Sequence, residues 1–129
     1  MQIESILRSV LVADPAVAAL VGDRIYRKRL PRESTFPAIT FQMITRPQDG
    51  LTGVVRARIQ YNCYAAPKQD LVAATLADAV RCALHGYRAV RDGARIEYVE
   101  YVNAYDFTDE TTEIPTIPVD MIVTYLEET

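Results

Sequence analysis

Residues 54–65 read VVRARIQYNCYA, and this stretch decides the fold class. Val55, Ala57, Ile59, Tyr61 and Cys63 share one side of a strand with a two-residue period, and Arg56, Arg58, Gln60 and Asn62 share the other. One side packs and the other is wetted. Just upstream, in residues 38–46, Ile39, Phe41 and Met43 alternate with Thr40, Gln42 and Ile44, and Pro47, Asp49, Gly50 and Gly53 supply the loop between the two runs. Two alternating strands joined by a short glycine-containing loop predict an antiparallel hairpin, the sheet type that tolerates water on one face.

Downstream the period becomes helical. Over residues 67–84, Leu71, Val72, Thr75, Leu76, Ala79, Val80, Ala83 and Leu84 form one side, Lys68, Asp70, Asp78 and Arg81 the other, and Gly86 is the stop. Asp92-Gly93, a hairpin-turn dipeptide, then joins residues 87–90 to a strand over 94–105. After residues 106–113, Ile117, Val119, Met121, Val123 and Tyr125 resume strand alternation. Pro115 and Pro118 at its entry predict an edge position, because proline cannot donate to a ladder.

Toward the N-terminus, Ile3, Ile6, Leu7, Val10 and Leu11 form the apolar side of an amphipathic helix ending near Ala13. Asp14-Pro15 reads as the N-cap and first-turn proline of a second short helix that stops at Gly22. A brief strand is expected around Ile25 and Tyr26, then a proline-bounded loop over 30–37. The expected fold is α+β, an antiparallel sheet of about four to five strands with helices packed on one face, in a single domain over residues 1–129.

A chain of 129 residues, half of them apolar, can build one core. A formal charge of -3 is too small to suggest disorder, an acidic tail or a nucleic-acid-binding surface. Glu4 and Arg8 interrupt the N-terminal apolar pattern, so no export signal is expected. The longest uncharged apolar run, residues 15–22, is far short of the ~20 residues of a membrane span. Cys63 and Cys82 are read as reduced core thiols on inward-facing sides, with a disulfide or metal site as the lesser reading. With His85 as the only histidine, no zinc set of the usual Cys/His spacing can be written.

No phosphate loop, dinucleotide-binding glycine pattern or nucleophile motif is present, and the five glycines stand apart at expected turns. His85 falls in the last turn of the predicted long helix, where the helix dipole favours a cation, which is a structural role and not a catalytic one. Asp106, Asp109, Glu110 and Glu113 offer oxygen ligands but lack the spacing and central glycine of a calcium loop, so a solvated loop is expected. The eight tyrosines are not interleaved with basic residues and read as sheet and interface residues. No catalytic residue, cofactor or metal site is predicted, and an enzyme is not expected.

One charge contrast remains. Arg24, Arg27, Lys28, Arg29 and Arg32 concentrate positive charge before the first hairpin, and Asp106, Asp109, Glu110 and Glu113 concentrate negative charge near the other end. These are either two solvated loops or the two halves of a heterologous subunit contact, which closes into a ring when the rotation permits.

The segments DPAVAALVGDRIYRKRLPRESTFPAITFQMI (14–44), VVRARIQYNCYA (54–65), LVAATLADAVRCALHGY (71–87) and VDMIVTYLEE (119–128), behind an amphipathic helix, are similar in order to a family of tail-completion proteins of long-tailed bacteriophages. The characteristic parts are Val21-Gly22 followed by Arg24-Ile25-Tyr26, the Leu30-Pro31 and Phe36-Pro37-Ala38 punctuation, and Arg58-Ile59-Gln60 followed by an Ala-Asp-Ala-Val helix. The resemblance implies a tail terminator, in which a ring, hexameric in the family, caps the finished tail tube and presents the head-joining surface. It also implies a major tail-tube protein and a head-completion or connector protein as partners, and DNA passing through the lumen without sequence-specific binding. The location implied is the head-proximal end of the virion tail, after synthesis in the host cytoplasm of a phage, prophage or gene-transfer-particle system. The competing reading from the residues alone is a small-molecule-binding or regulatory α+β module acting as a homodimer, with an enzyme of unrecognised type behind it.

Overall fold

The computed structural model describes residues 2–108 and 110–127. The chain runs through α1 (Gln2–Ala13), α2 (Pro15–Val21), β1 (Ile25–Arg27), β2 (Ala38–Thr45), β3 (Val55–Tyr64), α3 (Asp70–Leu84), β4 (Ala89–Arg91), β5 (Ala94–Ala104), β6 (Phe107–Thr108) and β7 (Pro115–Glu127).

The break between α1 and α2 follows local chemistry. The Asp14 carboxylate accepts a hydrogen bond from the Val17 backbone N–H at 3.1 Å, with Pro15 in the first turn, and Gly22 at φ +59° ends α2. Ile3, Ile6, Leu7 and Leu11 of α1 and Val17 and Val21 of α2 are buried together as the alternation of polar and apolar residues requires. The long helix begins at Asp70 and not at Pro67, because Lys68 takes a positive φ of 68° that a helix cannot hold. Its buried stripe is Ala73, Leu76, Ala77, Val80 and Leu84, rotated from the expected side, so Leu71 is 83% exposed.

The sheet has seven strands in the order β1-β2-β3-β7-β5-β4, with β6 added beside β7. It is larger than the expected four to five strands and mixed, since β1 pairs with β2 in parallel while the other pairings are antiparallel. Both predicted hairpins are present, β2–β3 and β4–β5. The expected edge position of the last strand is overturned, because β7 is the central strand, paired with β3 from Val55↔Tyr125 to Tyr64↔Thr116 and with β5 on its other side. Pro115 is the first residue of β7, opposite Thr108, and Pro118 is accommodated by a gap. Pro118 stands opposite Asn62 on β3, while on the other side β5 ends at Ala104↔Val119 and β6 starts at Phe107↔Thr116, leaving Pro118 no partner there.

The three helices pack on one another and on one face of the sheet, with α3 against β3, β5 and β7 and α2 against β2. That face carries Ile59 and Tyr61 of β3, Val119, Met121 and Val123 of β7 and Ile96 and Val99 of β5. α1 is also tied to both outer strands. Arg8 donates from Nε to the Ile25 carbonyl on β1 at 2.9 Å, and Ser9 Oγ accepts from Arg91 on β4 at 3.0 Å. One helix reaching both edges means that the sheet curls around the helices, so its helix-free face is convex. The short edge strands are thereby held against α1, a common protection of unpaired edges.

Of the two cysteines, Cys63 is buried and its thiol is pushed up by burial, as an inward-facing strand residue should be. Cys82 is exposed, correcting the expectation of an inward position; it lies two residues beyond Val80, off the buried stripe of α3.

Candidate assembly surface

The convex face is polar but not bare. Asp120, nearly buried at the centre of β7, accepts from Arg58 at 2.8 Å and from Gln60 at 3.1 Å on the adjacent strand. Thr40 shares hydrogen bonds with Tyr64 and Asn62 across β2 and β3. These cross-strand networks satisfy the polar side chains that make them. Among the described residues, no group of three or more His, Cys, Asp or Glu side chains is arranged to hold a metal ion. Among the described residues, no helix is long and apolar enough to cross a membrane.

His85 is the C-cap residue of α3, in extended backbone conformation, one position beyond the predicted last turn. Its Nδ1 accepts the Tyr101 backbone N–H at 3.0 Å, and its ring meets Tyr98 edge-on at 5.7 Å. The side chain therefore fills a backbone vacancy along β5, where β4 has ended.

The basic segment divides into two groups. Arg24 braces the fold, donating to the Pro37 and Leu20 carbonyls at 3.0 Å each. Arg27 reaches the buried carboxylate of Glu4 on α1, with Nε 3.5 Å from Oε2. Neither Glu4 oxygen has a hydrogen-bond partner among the described residues, and the neighbouring Tyr61 hydroxyl, pushed up by burial and then by the Glu4 charge, also has none. Lys28, Arg29 and Arg32 are exposed, and their side chains have no partner among the described residues.

The acidic candidates are scattered in place. Asp106 lines small clefts beside Asp70 and Asp78 of α3. Glu113, at φ +58°, faces Lys68 at 3.7 Å. Glu110 is exposed in a turn, and Asp109 lies outside the described residues. The segment is less irregular than expected, since β6 forms within it and pairs with the start of β7.

Between the two charged segments lies what the charge pattern did not reveal. Leu30 of the basic loop, Tyr64 of β3, Pro118 of β7, and Tyr105, Phe107 and Ile114 from the segment joining β5 to β7 line a cavity of about 450 Å³ on the convex face. Tyr105 and Phe107 are each more than half exposed there. The sequence signal was present in these apolar residues interspersed in polar loops, but no periodicity joins positions 30, 64 and 105–118.

The β2–β3 turn carries a second such residue. Leu51 is 99% exposed, yet its turn is fixed: Asp49 Oδ1 accepts the backbone N–H groups of Leu51 at 2.7 Å and Thr52 at 3.2 Å. Those two bonds hold the Asp49 carboxyl below its ordinary range. At the base of this hairpin Arg46 donates to the Tyr125 hydroxyl at 2.9 Å and pairs with Glu127.

No curated protein matches the sequence. A solved chain from the virion of a native gene transfer agent particle matches in structure with a TM-score of 0.75, at 19% identity, over 92% of this chain and 90% of that chain; the likeness is one of fold. The family model of tail completion protein gp17 matches residues 6–125, a span that takes in all or part of every helix and strand described above. The chain therefore belongs to the tail completion protein gp17 family, and with it to the structural proteins of phage tails.

Proposed function

We propose that this protein is a tail terminator, a non-enzymatic part whose copies form a hexameric ring that caps the completed tail tube and presents the surface for head joining. Its partners are then other copies of itself, the major tail-tube protein and a head-completion or connector protein, and DNA crosses the lumen without sequence-specific contact. Its place is the head-proximal end of the tail, reached from the host cytoplasm. The observation that carries the reading is family membership over residues 6–125, supported by the exposed cations Lys28, Arg29 and Arg32, unpaired among the described residues, beside exposed apolar side chains on a helix-free face.

In this reading the basic loop of one subunit meets acidic groups of the next, Glu110 among them, with Glu113 and Asp106 held closer to their own protomer. Arg24 and Arg27 are set aside from the contact, because each is engaged by its own fold. Light scattering across concentration and salt, in parallel with binding to tail tubes, tests the proposal. Ring-sized mass, free or on tubes, is expected, and Arg29→Glu with Arg32→Glu should lower it. A salt-insensitive dimer that ignores tubes would sink it and favour the homodimeric ligand-binding module, for which the convex-face cavity is the one supporting observation.

A further inference from the structure

The β2–β3 turn has an internal frame that serves no part of the protomer's own core. Besides the two bonds to Asp49 Oδ1, Asp49 N–H donates to the Val54 carbonyl at 2.9 Å, Gly53 N–H to the Asp49 carbonyl at 2.9 Å, and Gln48 Nε2 to the Gly53 carbonyl at 3.1 Å. At its tip this frame presents a leucine with nothing against it. A single exposed leucine on a surface is ordinary. A leucine held out on a rigid turn has already met the ordering cost that an anchor side chain otherwise incurs on binding.

The cavity on the convex face is the matching receptor. It is large enough for a leucine and part of its turn, and its wall of Leu30, Tyr64, Phe107 and Ile114 is apolar. Charge agrees as well as shape. Asp49, whose carboxylate bonds only to its own turn's backbone among the described residues, would enter beside Leu30, whose loop carries the exposed Lys28, Arg29 and Arg32. The protomer cannot fill its own cavity. Leu51 precedes β3, which starts at Val55, and the cavity begins at Gln60 and Asn62, so about 17 to 23 Å of strand lies between them at ~3.3 Å per residue.

We infer that Leu51 of one subunit seats in the convex-face cavity of a second copy of the chain, with Asp49 beside the basic loop. Tip and cavity lie at opposite ends of the β2–β3 hairpin, so each subunit gives one knob and receives one; because the assembly proposed above is a ring, the contact is taken as heterologous and repeats from subunit to subunit. The inference rests on the ring reading and names the anchor of its subunit contact.

Cysteine capture tests it in the full-length protein with the exposed Cys82 changed to Ser; the buried Cys63 stays. Leu51→Cys protein is mixed with Ile114→Cys protein near millimolar concentration under mild oxidant, and Leu71→Cys, on the exposed side of α3, replaces Leu51→Cys as the collision control. Mixed disulfide-linked dimers are expected with Leu51→Cys at least tenfold faster than with Leu71→Cys, and Leu51→Ser should weaken wild-type self-association about tenfold. Equal rates in the two mixtures overturn the inference. If wild-type mass still rises with concentration in that case, the ring reading survives without this anchor; if the wild type stays monomeric to the same concentration and ignores tubes, both fall.

Discussion

Met121 and Ile122 are neighbours in the central strand β7, yet Met121 is fully buried under the helices while Ile122 lies half-buried on the convex face, opposite Arg58 of β3 and Glu100 of β5. The same strands thus make two surfaces by different means. The concave one is ordered by exclusion of water, where a lost methylene leaves a cavity the surroundings only partly close. The convex one is ordered by cross-strand hydrogen bonds such as Arg58–Asp120–Gln60, which persist when a neighbouring side chain changes. A protein that must fit partners is free to change the second surface without losing the first.

The comparison breaks most sharply at β7 itself. Met121→Ala is expected to cost about 3 kcal/mol in urea unfolding, whereas Ile122→Thr should cost less than about 1 kcal/mol; similar losses would mean that the convex face is also a packed core. A smaller effect of opposite sign sharpens the point. Tyr61→Phe removes a buried hydroxyl without a partner beside the Glu4 carboxylate, so stability should rise by about 1 kcal/mol, and a fall would reveal a partner for that hydroxyl. Smallest is a pH effect where order comes from hydrogen bonds alone. The Asp49 carboxyl is held below its ordinary 3.8, so its support of the turn is complete above that value and fades as pH falls through the lower folded value. Amide resonances of Leu51 and Thr52 should report that loss together, with a midpoint below 3.8, while amides of β7 remain unmoved.

Much of this arrangement was legible in the residues. The alternation of Val55 to Cys63 announced a strand with one buried face, and Asp14, Gly22 and Asp92-Gly93 marked turns through backbone chemistry that acts within a few residues. What stayed hidden depends on distant partners. Pro118 pointed to an edge, but a central strand tolerates it because β5 and β6 stop on either side of it. Leu71 and Cys82 fitted an inward side until packing of α3 on β3, β5 and β7 buried the stripe of Ala73, Leu76, Ala77, Val80 and Leu84 instead. In the assembly surface, charge marked the loop around Lys28, Arg29 and Arg32, yet sequence could not separate these from Arg24 and Arg27, whose partners are a carbonyl 13 residues away and a buried acid on α1. The apolar cavity was invisible because its walls come from four separate stretches of chain.

The position of β7 has a consequence for how the protein is made. Strands β3 and β5 lie on its two sides, and both precede it in the chain. While the ribosome is still building residues 115–127, the two hairpins cannot join, and each carries an unpaired edge where β7 will lie. Pairings such as Val55↔Tyr125 must then close loops of about 70 residues, which slows the final step. Until it occurs, the nascent chain presents two adhesive strand edges, the kind of surface that invites association between incomplete chains.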